Sequence, residues 1–220
     1  MKKSTEEIYS LLYSRFGERG CELSFNNNFE LLVAVILSAR CKDSRVNMIT
    51  PTLFAKYPTP IDMSKASIND IEKIIYSCGF YHNKAKNLIL MSKDLVEKFD
   101  SIVPKTYEGL LSLAGVGRKT ANVVMSVGFD MPAIAVDTHV FRVSNRLNLA
   151  KAKTPLECEK TLQSEVDKEK WSRLHHLLVL FGRYVCSSQH PHCTDCELKN
   201  YCSYYKDNQK CKQTHSKTQK

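Results

Sequence analysis

The longest apolar run, Leu31 to Leu37, falls far short of the roughly 20 residues a helix needs to cross a bilayer, so no membrane span is predicted. The opening MKKSTEEIYS has two lysines followed by acids, with neither an apolar signal core nor an Arg-rich presequence. The protein is therefore expected to stay where it is made, in the cytoplasm. Internal repeats are absent, and no segment alternates with period two for long enough to suggest a sheet. Acids are in deficit: 23 Asp and Glu stand against 32 Lys and Arg, a net charge of +9. This imbalance favours a polyanionic partner, because Lys and Arg that neutralise phosphates drive non-specific nucleic-acid binding. Part of the excess, however, belongs to the tail lysines Lys206, Lys210, Lys212, Lys217 and Lys220.

At 220 residues, 43% hydrophobic and 25% charged, the chain can bury a core as one domain or two small ones. Helical signals recur along it. Ser4-Thr5-Glu6-Glu7 reads as a capping box, followed at helical spacing by Ile8, Leu11, Leu12 and Phe16 up to Gly17. Phe29 to Ala39 is apolar on nearly every face, as expected of a helix buried at the centre of a domain. Beyond it lies Ser38-Ala39-Arg40-Cys41-Lys42-Asp43, with Asp43 placed to cap the next helix. Pro51 predicts a helix start or a kink. Ser67-Ile68-Asn69-Asp70 resembles another capping box, and its helix stops by Gly79, just before Phe80. Lys84 to Phe99 forms one more amphipathic helix, Thr154-Pro155-Leu156-Glu157 starts another, and Trp171 to Tyr184 is the last. The adjacent His175 and His176 face different directions, which argues against a two-histidine metal site. The fold class is all-α.

The stretch Leu110 to Asp137 carries the most chemistry: LLSLAGVGRKTANVVMSVGFDMPAIAVD. It reads as helix, tight hairpin, helix, short apolar run and acid. Gly115 and Gly117, flanking Val116, allow a close approach that side chains would prevent. With a helix beginning near Arg118, hairpin amides and helix N-terminal amides form a site suited to a phosphate. Lys119 lies one step inside, and by itself would read as a backbone contact. Asp137 is placed to cap the helix that follows.

Nine cysteines without a secretory signal argue for metal ligation and buried thiols rather than a disulfide framework. Cys186, Cys193, Cys196 and Cys202 follow a Cys-x6-Cys-x2-Cys-x5-Cys pattern, so four thiolates can converge on one centre without a long loop closure. Zinc is one reading, although structural zinc sites commonly pair two Cys-x2-Cys knuckles and only one is present. A 4Fe-4S cluster, which takes four cysteines, is the other. The remaining cysteines, Cys21, Cys41, Cys78, Cys158 and Cys211, read as buried or incidental thiols.

LAGVGRKTA followed by AVDTHVFRV closely resembles the helix-hairpin-helix DNA glycosylases, specifically the endonuclease III family, and the uneven cysteine spacing matches that family's 4Fe-4S loop. The resemblance extends from Leu31 to about Tyr205. It implies two helical domains flanking a DNA-binding cleft: a six-helix barrel over 21–131 holding the helix-hairpin-helix at about 106–128, and a second domain of 1–20 plus 132–205 with the cluster loop at 186–202. From their polar, lysine-rich composition, residues 206–220 are expected to be a basic, disordered tail. The resemblance further implies a monomeric base excision repair enzyme, associated with the nucleoid of a bacterium and acting on double-stranded DNA with damaged pyrimidines or abasic sites. Lys119 aligns with the amine that attacks the sugar and forms a Schiff base, and Asp137 with the acid of the superfamily. Gly115, Val116, Gly117 and Arg118 would hold the DNA backbone. Arg40 stands where the family usually has a glutamine that fills the gap left by an extruded nucleotide; arginine can fill and stack there too, with altered preference for the opposite base. Phe80 aligns with a residue wedged beside the flipped base, where an apolar side chain lowers the cost of unstacking. Ala114 stands where the family often has proline.

Overall fold

A computed structural model describes residues 2–208. Eleven α-helices, two short 3-10 helices and a further helical turn at 203–208 are the regular elements among the described residues, with no strand among them. No described helix is long and apolar enough to cross a membrane. The chain divides into two compact units: Cys21–Met131, and the segments before and after it.

The order begins with α1 (Lys3–Phe16), α2 (Asn28–Ser38), α3 (Asp43–Lys56) and α4 (Pro60–Ser64). It continues with α5 (Ile68–Ile75), α6 (Tyr81–Lys98), α7 (Tyr107–Leu111) and α8 (Arg118–Gly128). Last come α9 (Thr138–Arg146), α10 (Pro155–Glu165) and α11 (Trp171–Tyr184), and a further helical turn spans 203–208. That turn runs into the segment expected to be a tail, because Tyr204 and Tyr205 pack on the apolar core of their unit. The rest of the tail, 209–220, lies outside the described residues, and Cys211 with it.

The Cys21–Met131 unit is built around α2. Every residue from Phe29 to Leu37 is buried, and α3, α6 and α8 pack against this helix. Asn27 caps it, accepting the Glu30 N–H at 2.9 Å. Seven helices lie in the unit, where six were expected. The additional one is the five-residue α4, started by a Thr59 cap and Pro60 at its first position. In the other unit, α9 and α11 pack face to face and α1 lies on α11.

Several predicted helix starts are built differently. At α1 the N-cap is Lys2 with no side-chain cap, so Ser4 lies inside the helix and makes no capping box. Asp43 is the first residue of α3, behind Lys42, rather than its cap. Pro51 sits inside α3, neither starting nor ending it. Ser67 precedes α5 without a side-chain cap, and the Asp70 carboxylate, the other half of the expected box, accepts instead from Lys56 Nζ at 2.7 Å and the Tyr57 hydroxyl at 2.5 Å. The capping box at Thr154 and Glu157 forms in full.

Candidate active site and cysteine loop

In the Cys21–Met131 unit, α7 and α8 are joined by a turn in which the Val116 N–H donates to the Leu113 carbonyl at 3.2 Å. Val116 is buried and fixes the turn to the core, while Gly115, Gly117, Arg118 and Lys119 are exposed. Gly115 has φ +76, and a Cβ there would come within 2.9 Å of Asn87, so both conformation and space require glycine. Gly117 is different: its φ is −98, and a Cβ would meet nothing within 4 Å. Nothing inside the protein asks for glycine there, and its open side faces solvent. As N-cap of α8, Gly117 brings no side chain to the first amides of that helix. Lys119 stands at the second position of α8, and the Arg118 guanidinium lies over the Tyr107 ring at 5.6 Å.

Arg40 and Phe80 are 40 residues apart in sequence and meet in space: the Arg40 guanidinium sits 5.2 Å above the Phe80 ring. Both are exposed, Phe80 at 58%, and both hold positive φ, +54 and +61. Left-handed backbone at two bulky residues is uncommon and tends to collect at functional sites. A further polar group of this unit is one that the sequence places only at the start of an amphipathic helix. Lys84 is buried and donates from Nζ to the Leu37 carbonyl at 2.8 Å, tying the first turn of α6 to the last turn of α2. Burial pushes its ammonium below the usual lysine range.

In the other unit, Asp137 is the N-cap of α9, and one carboxylate oxygen accepts the N–H groups of His139 at 2.9 Å and Val140 at 2.8 Å. The next turns of α9 carry two arginines that sequence reasoning missed. Arg142 donates to the Gly182 carbonyl at 2.8 Å and the Cys186 carbonyl at 3.1 Å, with His139 Nδ1 at 3.1 Å from its Nη2. Burial pulls the His139 ring below the usual histidine range. Arg146 donates to the Ser187 carbonyl at 2.8 Å, the Ser188 carbonyl at 3.1 Å and the Cys186 sulfur at 3.3 Å, and stacks on Tyr204 at 3.9 Å.

Cys186, Cys193, Cys196 and Cys202 line one pocket of about 330 Å3, measured out to its open mouth. The surroundings suit thiolates that hold an iron–sulfur cluster. Besides the Arg146 donor, the Tyr205 N–H points at the Cys202 sulfur at 3.4 Å. Burial pushes the Cys196 and Cys202 thiols up, and backbone N–H groups of Leu198, Tyr204 and Tyr205 act against it. No three described His, Cys, Asp or Glu residues gather tightly enough to share one metal ion. Four cysteines lining one pocket supply the ligand count that a 4Fe-4S cluster takes. The loop is pinned to its unit by Arg15 with Glu197 at 2.9 Å and by the Tyr201 hydroxyl with Glu7 at 2.8 Å. Lys199 donates within the loop, to the Thr194 carbonyl at 3.2 Å.

A glycine hairpin leading into an uncapped helix with a lysine in its first turn, an acid capping another helix and a four-cysteine loop together define a class. Residues 33–168 match the HhH-GPD superfamily of base excision DNA repair proteins. Endonuclease III of Bacillus subtilis is 50% identical over 91% of this chain and 92% of its own, and that of Rickettsia conorii is 47% identical over 84% and 88%. A solved structure of a trapped endonuclease III–DNA covalent intermediate superposes with a TM-score of 0.90 at 44% identity, covering 95% of this chain and all of that one. The chain belongs to the endonuclease III family, and it is an enzyme of the DNA glycosylase and abasic-site lyase class.

Proposed function

We propose that this enzyme removes oxidised or ring-damaged pyrimidines from double-stranded DNA and then cuts the strand 3′ to the abasic site, using Lys119 for both steps. The observation that carries the reading is the position of Lys119, exposed in the first turn of α8 two residues after a glycine whose open face the protein itself does not fill. A backbone phosphate held at the hairpin and the N-terminus of α8 would bring the sugar of an extruded nucleotide to this amine. A covalent protein–DNA intermediate, as trapped in the related endonuclease III, is what an amine nucleophile produces.

Lys119 Nζ attacks sugar C1′, and the damaged base leaves with the glycosidic electrons and takes up a proton. Ring opening gives a Schiff base. Loss of the C2′ proton then expels the 3′ phosphate by β-elimination, and hydrolysis frees the lysine. Asp137 stabilises the positive charge that develops at the sugar and handles protons, while its N-cap bonds fix the carboxylate. Arg40 and Phe80 occupy the gap beside the extruded nucleotide; the pairing of their side chains supports a joint role. Cys186, Cys193, Cys196 and Cys202 would hold a 4Fe-4S cluster, whose bonds to four thiolates would cross-link the loop. The protein works as a monomer.

Borohydride reduction of the Schiff base tests the reading, on duplexes carrying one thymine glycol or one abasic site. Wild type should cross-link to both, and Lys119→Gln to neither. Trapping at the abasic site alone would demote the protein to a lyase with another base specificity, and no trapping at either would remove Lys119 from the mechanism.

A further inference from the structure

Between Arg40 and Phe80 lies a pair of thiols that the repair chemistry does not use. Cys41 follows Arg40, Cys78 precedes Gly79 and Phe80, and their sulfurs are 3.5 Å apart. The two loops that carry them are in close backbone approach, since a Cβ on Gly79 would lie 3.3 Å from the Arg40 carbonyl oxygen. A disulfide has sulfurs about 2.05 Å apart, so only about 1.5 Å of movement remains to be made, and both cysteines sit in turns outside the helices. The pair is asymmetric. Cys41 is half-buried and open to a reagent, whereas Cys78 is 1% exposed and its thiol is pushed up to about 11, chiefly by burial. Such a pairing of an accessible thiol with a protected one suits attack followed by resolution.

We propose that Cys41 and Cys78 form an oxidant-sensitive dithiol site that closes to a disulfide and locks the Arg40 loop to the Phe80 loop. The oxidant is a small disulfide such as oxidised glutathione. The Cys41 thiolate attacks one of its sulfurs and expels a thiolate. The Cys78 thiol then gives its proton to solvent and attacks the Cys41 sulfur of the mixed disulfide, expelling the second thiolate. Two protein thiols lose two hydrogens, and one small disulfide becomes two thiols. Closure freezes the two loops at the spacing of the free protein. Its effect on DNA rests on the assignment of Arg40 and Phe80 to the nucleotide gap, where the two loops must adjust for the side chains to enter the base stack.

The test uses the purified full chain, exposed to oxidised glutathione and then digested for mass spectrometry. A peptide joining Cys41 to Cys78, lighter by two hydrogens and split by dithiothreitol, is expected in wild type and absent in Cys41→Ser and in Cys78→Ala. Cleavage of a thymine glycol duplex should fall at least about 5-fold on oxidation and recover on reduction, while Cys41→Ser, which keeps the same cysteine loop at 186–202, should be indifferent to the oxidant. No linked peptide in wild type overturns the site. A linked peptide with an equal loss of cleavage in Cys41→Ser overturns its effect on DNA. Failure of the Lys119 reading would show separately, as absence of trapping in reduced and oxidised protein alike.

Discussion

Asp137 caps α9, and the proposed mechanism gives it a second job that conservative variants can separate from the first. Its carboxylate oxygen satisfies two amides at the start of α9, and asparagine can accept the same bonds. Asp137→Asn should therefore leave the melting temperature nearly unchanged while lowering glycosylase turnover at least about 100-fold, because the negative charge is lost. Asp137→Ala should lose activity and also about 1 kcal/mol of stability, read from chemical denaturation. Equal activity in Asp137→Asn and wild type would leave the residue as a cap only. The sequence showed Asp137 and Lys119 plainly, as acid and amine each at a recognisable helix start. It did not show Arg142 and Arg146, because their partners are backbone carbonyls and a sulfur roughly 40 residues away, and no local pattern encodes such distances. Lys84 escaped for the same reason: its partner is the Leu37 carbonyl, and a lysine on a helix reads as solvated.

For the hairpin between α7 and α8, the two glycines should respond oppositely to alanine. Gly115→Ala forces a side chain into φ +76 and against Asn87, and should cost about 1–3 kcal/mol of stability together with DNA affinity. Gly117→Ala meets no protein atom, so stability should fall by less than about 1 kcal/mol while affinity for duplex DNA drops about 10-fold. Melting curves and salt-controlled binding isotherms check both; unchanged affinity in Gly117→Ala would show that no ligand approaches there. Helices with strong periodicity, such as α2 and α11, were legible because burial of their apolar faces decides their formation. Capping boxes were less so. Ser67-x-x-Asp70 has the right letters, but Asp70 gains a lysine and a tyrosine from α3 and its C-terminal flank, and tertiary partners outbid the local cap. The five-residue α4 is too short to show a periodic pattern at all.

On the scale of the whole molecule, acid should act on folding through His176. Burial, with Arg173 adding to it, lowers its pKa to about 4 from 6.5. Above pH 6.5 the ring is neutral in folded and unfolded chains alike, and the full stability is present. As the pH falls from 6.5 towards 4 the unfolded chain binds the proton first, and stability declines by at most about 3 kcal/mol from this group. Urea unfolding at pH 7.5 and pH 5 should show a smaller loss for His176→Gln than for wild type; parallel losses would assign the acid sensitivity elsewhere.

The helix α9 joins two features that were built separately. At about 1.5 Å per residue it is a rod of roughly 13 Å, with the Asp137 carboxylate at one tip and Arg146 at the other. Arg142 and Arg146 grip Cys186, Ser187 and Ser188, the first residues of the cysteine loop. The loop and the carboxylate are thus mechanically in series, like the handle and the tip of a lever, although no bond joins them directly. Damage that slackened the loop would shift the carboxylate, and with it the step proposed for Asp137, without touching the residue itself.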